Sequence, residues 1–157
     1  MVRLTRSKIV MIILTILLAG GYYSYHNERT VKSSTIDRVA GDTQMETSIN
    51  IALQLNPGMA AAAIIAPSTG YYEALAAIPL AQQMEAPILW LGSTLEESKA
   101  VLDYIDNHID KNGQIYILGN DKDIPLDLEG LLTKIGYEET RIMRLGEANH
   151  YETAIRI

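Results

Sequence analysis

The sequence predicts an α/β domain, a short parallel sheet flanked by helices. Three observations carry that prediction. Short aliphatic runs alternate with segments of helical spacing, and the connections between them are short. The runs are continuously apolar rather than alternating, as strands covered on both faces are. The chain has no Phe and one Trp, so a core must be built from aliphatic side chains. Its 157 residues suffice for one domain of ordinary size.

Thr47 to Leu55 has helical spacing, with Ile49, Ala52 and Leu53 on one face, and Pro57-Gly58 breaks it. Ala61 to Ala66 is a short apolar strand. Tyr72 to Met84 is a helix with Leu75, Ile78 and its alanines on the buried side, kinked or restarted at Pro79. Pro87 to Leu91 is the next strand. Thr94 with Glu97 three residues on is a capping box. The helix it opens runs through Val101, Leu102 and Ile105 to about Ile109, and Asn112-Gly113 stops it. Gln114 to Leu118 is a strand. Pro125 starts a helix that Gly136 ends. Arg141 to Leu145 is a fourth strand, and Tyr151 to Ile157 starts another helix. The arrangement expected is three-layered, Rossmann-like or toprim-like. Ligands of such sheets bind beyond the carboxyl ends of strands, here Pro67 to Gly70, Gly92 to Thr94 and Gly119 to Asp123.

Ahead of the domain, Arg3, Arg6 and Lys8 precede the apolar run Ile9 to Gly21, and Tyr22, Tyr23 and Tyr25 follow it. Basic residues, apolar core and aromatic edge form the pattern of a transmembrane signal anchor or a signal peptide. Counted to Tyr25, the run reaches about 17 residues, the lower limit for spanning a bilayer. Basic residues before it place later residues outside the cell. The expected division is 1–26 signal anchor or signal peptide and 27–35 linker. The domain would then lie at the cell membrane facing out, or in the wall after cleavage.

Charge and composition exclude several classes. Five of the 13 basic residues lie before Ser33 but one of the 19 acids, leaving 8 basic against 18 acidic residues, net −10. A domain that acidic lacks the basic face that nucleic acid requires. The absence of cysteine removes disulfides, thiolate metal sites and a thiol nucleophile.

Two segments repeat. Arg38 to Ile51 (RVAGDTQMETSINI) aligns with Arg144 to Ile157 (RLGEANHYETAIRI), sharing the Arg, the Glu-Thr pair and the flanking Ile pattern. Between them come Glu73-Ala74-Leu75, Pro79-Leu80-Ala81, Pro87-Ile88-Leu89-Trp90 and Tyr116-Ile117-Leu118-Gly119. This series resembles the cell wall-binding repeat type 2 family of Gram-positive surface proteins. Residues 36–145 would form one repeat, and 146–157 the truncated start of a second. Tyr71-Tyr72-Glu73 replaces the family's Phe-Pro-Asp, Pro67-Ser68 replaces a small residue and Gly, and Glu147 stands where a Gly is expected.

The resemblance implies a non-catalytic surface module, without cofactor or metal, attached to an anionic cell wall polymer. The strand motif associated with attachment falls on Pro87, Ile88, Leu89 and Trp90; the same residues also read as plain buried strand. An anionic ligand calls for Arg and for free backbone N–H groups. That adds Arg38, Arg144 and Ser93 as polymer-binding candidates, with an ion pair to Glu46 or Glu152 as the structural reading of each Arg. Since the ectodomain is acidic, either a local basic patch or a bridging divalent cation is required. The alternative is a membrane-anchored structural module that packs against copies of itself or a longer repeat protein. Two catalytic readings are weaker. Asp121, Asp123 and Glu73 form an acidic set of the kind that supports metal-dependent phosphoryl transfer. Ser68 sits in a strand-to-helix turn, but His26, His108 and His150 give no triad order.

Overall fold

A computed structural model describes residues 38–157, apart from Ala148, together with Thr15. Val39–Ile157 forms one compact unit. The elements in chain order are α1 (Gln44–Leu55), β1 (Ala60–Pro67), α2 (Tyr71–Ala76), α3 (Ile78–Met84), β2 (Ile88–Leu91), α4 (Lys99–His108), β3 (Ile109–Leu118), α5 (Asp127–Lys134), a 3-10 turn (Glu139–Arg141), β4 (Ile142–Leu145) and α6 (His150–Arg156). The sheet order is β2-β1-β3-β4, and every pairing is parallel. The α/β class and the parallel sheet are as the sequence predicts. Among the described residues no helix is long and apolar enough to cross a membrane. The expected anchor at Ile9 to Gly21 lies, Thr15 apart, outside the described residues.

Alternate strand residues feed two cores. Ala63, Ile65, Leu89, Leu91, Ile115 and Ile117 face α4, α5 and the inner side of α1. Ala62, Ile64, Ala66, Ile88, Trp90, Tyr116 and Leu118 face the layer made by α2 and α3, joined by Leu145 and Ile157. This period of two, on strands with both faces covered, makes the three layers. The aliphatic β1 is one of the two inner strands, and its residues Ala62 to Ala66 are fully buried.

Several boundaries differ from expectation. Tyr72 to Met84 is two short helices that meet at Ala77, with Pro79 in the first turn of the second. Leu75 and Ile78, expected inside, are 64% and 50% exposed. Their apolar stripe faces a groove rather than the core. The capping box forms: the Glu97 N–H donates to Thr94 Oγ1 at 3.2 Å and the Ser93 N–H to Glu97 Oε2 at 3.1 Å. The regular helix nevertheless begins only at Lys99. β3 begins at Ile109, five residues before the predicted start. Its pairing with β1 is irregular there: Ala60 faces Ile109, but Ala62 faces Gln114. Gly113 belongs to this irregular entry, where a Cβ would stand 2.6 Å from the Ala61 carbonyl oxygen.

Gly136 ends α5 with φ +107, and the N–H of Tyr137 closes the turn onto the Leu132 carbonyl at 3.1 Å. That places the buried Tyr137 ring under α4. Its hydroxyl lies 2.9 Å from the Ile105 carbonyl and 3.0 Å from that of Ile109, at the end of the helix, where carbonyls lack intrahelical partners. Burial, with Asp106 and Asp110 adding to it, pushes the phenol pKa well up, so the group stays a donor. Tyr137→Phe is expected to lower stability by about 1–2 kcal/mol, measured as a shift of the urea midpoint with unchanged slope.

Candidate functional site: an apolar groove along the edge strand

β2 is an edge strand, and such edges need cover. α1 supplies it on one flank. The buried Ser48 hydroxyl donates to the Met45 carbonyl at 2.7 Å and accepts the Trp90 N–H at 3.2 Å. Helix α1 starts cleanly because Thr43 Oγ1 accepts the Glu46 N–H at 3.1 Å, and the Glu46 carboxylate accepts the Asp42 N–H at 2.8 Å.

On the other face β2 is left open. A groove of about 750 Å³ runs over it between α1 and the α2–α3 pair. Ile88 and Trp90 form its floor. Ile51 and Leu55 line one wall, and Ala74, Leu75, Ile78 and Ala81 the other. Tyr71 closes one end: its hydroxyl accepts from Gln44 Nε2 at 2.8 Å, and its ring centre lies 5.7 Å from that of Trp90, tilted by 59°. Among the described residues no Lys or Arg lines the groove, and the charged residue that does is Glu85.

The structure separates the candidate site residues. Ile88 and Trp90 reach the groove, whereas Leu89 points the other way into the first core and is fully buried. Pro87 is buried at the strand entrance, where its carbonyl accepts the Ile64 N–H at 2.9 Å. Ser93 is exposed, but its N–H is already bound to Glu97. Arg38 is exposed and outside any strand.

Arg144 lies at the opposite edge of the sheet, on β4. Its Nε and Nη2 grip Glu129 at 2.6 and 2.9 Å. Nη1 donates to the carbonyls of Gly119, Asn120 and Ile124 at 3.0–3.1 Å, and Nη2 to that of Pro125 at 3.4 Å. The crevice beyond the carboxyl end of β3, where a ligand is expected in such sheets, is thus filled by the protein's own guanidinium. Its partner is Glu129, not Glu152. Burial alone would raise the Glu129 carboxyl. Hydrogen bonds from Arg144 and the local backbone, together with the Arg144 charge, outweigh that and hold it below its ordinary value.

Sequence reasoning missed Tyr71 and the aliphatic walls as groove residues. Tyr71 had a signal, since it stands directly after the Gly70 turn at a strand end. The catalytic candidates do not assemble into sites. Among the described residues no three His, Asp or Glu side chains gather where they could hold a metal. Ser68 follows the carboxyl end of β1, whereas His108 ends α4 at the opposite, amino-terminal end of the inner strands, stacked on Tyr104 with ring centres 4.8 Å apart.

Comparison with known proteins agrees with this architecture. No curated protein matches the chain. Among solved structures, Cwp8 from Clostridium difficile is similar over 76% of this chain, with 26% sequence identity and a TM-score of 0.61. The chain spans 19% of the length of that protein. Residues 38–129 match the family described as Cell wall binding domain 2, which covers α1, the groove strand β2 and β3. The chain belongs to the cell wall binding domain 2 (CWB2) family.

Proposed function

We propose that this cell wall binding domain attaches to an anionic wall polymer without catalysing a reaction, and that the groove over β2 is where the polymer lies. The observation that carries the reading is the Tyr71–Trp90 pair, standing where Tyr71 closes one end of a largely aliphatic groove. Large aromatic faces contribute much apolar contact area at small entropic cost, and the ring face of a sugar is a suitable counterpart. Because no cation among the described residues lines the groove, the polymer's sugar rings would face the protein and its anionic groups the solvent. Of the candidate residues, Ile88 and Trp90 carry the contact, joined by Tyr71. Pro87 and Leu89 hold the strand. Arg38 and Ser93 stand outside the groove, and Arg144 serves the fold.

Residues 36–145 act as one repeat unit and 146–157 as the opening of a second. The run Ile9 to Gly21 tethers the unit to the membrane with the domain outside, or directs it to the wall if cleaved. The test is retention of the full chain on purified walls, before and after chemical stripping of anionic polymers. Trp90→Ala is expected to weaken retention by about tenfold or more without altering the far-UV spectrum. Equal retention on stripped walls would exclude the polymer as ligand. A second reading, association with other protein units, is favoured by the exposure of Ile51, Leu55, Leu75 and Ile78 around the groove.

A further inference from the structure

The groove over β2 is bridged at both ends, and the two bridges differ in chemistry. At one end Gln44 of α1 donates to the Tyr71 hydroxyl at 2.8 Å, beside Trp90. At the other, Asn56, which caps α1, donates through Nδ2 to the Glu85 carbonyl at 3.1 Å. α1 has 12 residues, so about 18 Å of helix separates the two bridges. The first end is aromatic. The second holds Glu85, the charged residue among the described lining groups.

Glu85 is an unusual residue for its position. It ends α3 in the left-handed conformation, with φ 50 and ψ 36. The Ala86 N–H closes the turn onto the Ala81 carbonyl at 2.9 Å. Such a helix end favours glycine, because a Cβ is crowded there. Among the described residues Glu85 is the one non-glycine with positive φ. Its hydrogen bonds within the fold run through its backbone N–H and carbonyl, and among the described residues nothing binds its exposed carboxylate. Backbone strain that supports no contact of the side chain points to a role outside the fold.

Charge limits what that role can be. The chain is acidic, and its groove offers no cation among the described residues. A sugar chain whose charges are all anionic meets repulsion at Glu85. One with ammonium groups finds an acceptor of opposite charge. An ion pair left in water is weak, but a ligand lying in the groove covers this one and strengthens it. We propose that Glu85 selects sugar chains that carry unacetylated amino sugars: one ring lies against Tyr71 and Trp90, and the ammonium of another, further along the groove, pairs with the Glu85 carboxylate. This rests on the reading that a sugar chain occupies the groove, and it adds the substituent that the chain must carry. It also reconciles an acidic domain with an anionic polymer, since the ligand then bears both signs of charge.

Trp90 is the sole tryptophan of the chain, so its emission reports this groove directly. The full chain in mild detergent is titrated with a short glucosamine oligomer and with its N-acetylated counterpart, which exchanges each ammonium for an acetamide. The glucosamine oligomer is expected to bind about tenfold more tightly. Glu85→Gln should remove that preference and leave the affinity for the acetylated oligomer unchanged. Glu85→Gly, which relieves the left-handed turn, should unfold at higher urea and lose the preference too, so the loss cannot come from unfolding. Equal affinity for the two oligomers overturns the proposal. So does a preference that survives Glu85→Gln, which would reflect the general acidity of the domain, and so does an emission that neither oligomer moves. Retention on purified walls tests the underlying reading separately. Retention that needs the anionic polymers but is indifferent to Glu85→Gln and to acetylation of the wall amines upholds polymer binding and overturns the role of Glu85. Retention that persists on stripped walls yet falls with Glu85→Gln does the reverse.

Discussion

Arg144→Ala is expected to lower the stability of the domain by about 3 kcal/mol, the low end for breaking a buried ion pair. The pair with Glu129 is partly exposed, with side-chain exposures of 17% and 30%, which keeps the figure from rising further. Most of the loss comes from what is left behind. The carbonyls of Gly119, Asn120, Ile124 and Pro125 lose a shared donor, and the carboxylate loses its counter-charge. Arg144→Lys should recover little, because one ammonium cannot serve a carboxylate in two-point fashion and several carbonyls together.

The effect depends on pH in a definite direction. The folded Glu129 carboxyl lies below its unfolded value, so its contribution is fully present above the ordinary carboxylate range and disappears as pH falls through the folded value. The difference between the native protein and Arg144→Ala should therefore be largest near neutrality and narrow at about pH 3. Urea midpoints at the two pH values measure it. A gap that is constant with pH would mean that the carbonyl bonds, not the ion pair, carry the loss.

Much of this fold is legible in the chain because aliphatic strands buried on both faces announce themselves. Ala61 to Ala66, Pro87 to Leu91 and Gln114 to Leu118 all mark real strands. Pro125 and Gly136 bracket α5 through backbone chemistry that is local and therefore readable. What was not legible depends on partners distant in sequence. Gly113 looks like a helix stop, yet the helix passes straight into β3 and the glycine serves the close approach of the Ala61 carbonyl. Arg144 has an acid eight residues ahead of it, Glu152, but its actual partner is fifteen residues behind, on α5. Leu75 and Ile78 show the limit of periodicity: a helical apolar stripe looks the same whether it faces a core or an open groove. The site followed the same division. The strand motif includes Ile88 and Trp90, which form the floor of the groove proposed as the site. The groove itself arises from the spacing of α1 from α2 and α3, which no local pattern encodes.

Beside the Arg144 clamp, Gly146 is the glycine least able to accept a side chain among the described residues. A Cβ on Gly146 would overlap the carbonyl carbon and oxygen of Gly119, and the Asn120 nitrogen would stand 2.5 Å away. All three are backbone atoms, so no side chain can swing aside; β3 and β4 would have to part where they end. Gly119 has little freedom to move, since it holds φ +116 and its N–H reaches the Leu145 carbonyl at 3.5 Å. Gly146→Ala is therefore expected to destabilise the domain by about 3 kcal/mol, the upper part of the range for overpacking. The displaced Gly119 carbonyl is also an Arg144 acceptor, at 3.1 Å, so the two lesions share a cause. The double variant Gly146→Ala/Arg144→Ala should lose clearly less than the sum of the single losses, by about 1 kcal/mol or more. Urea denaturation of the four proteins gives the cycle. Strict additivity would show that the close approach of β3 and β4 and the guanidinium clamp are independent, and that the clamp does not hold the strand ends together.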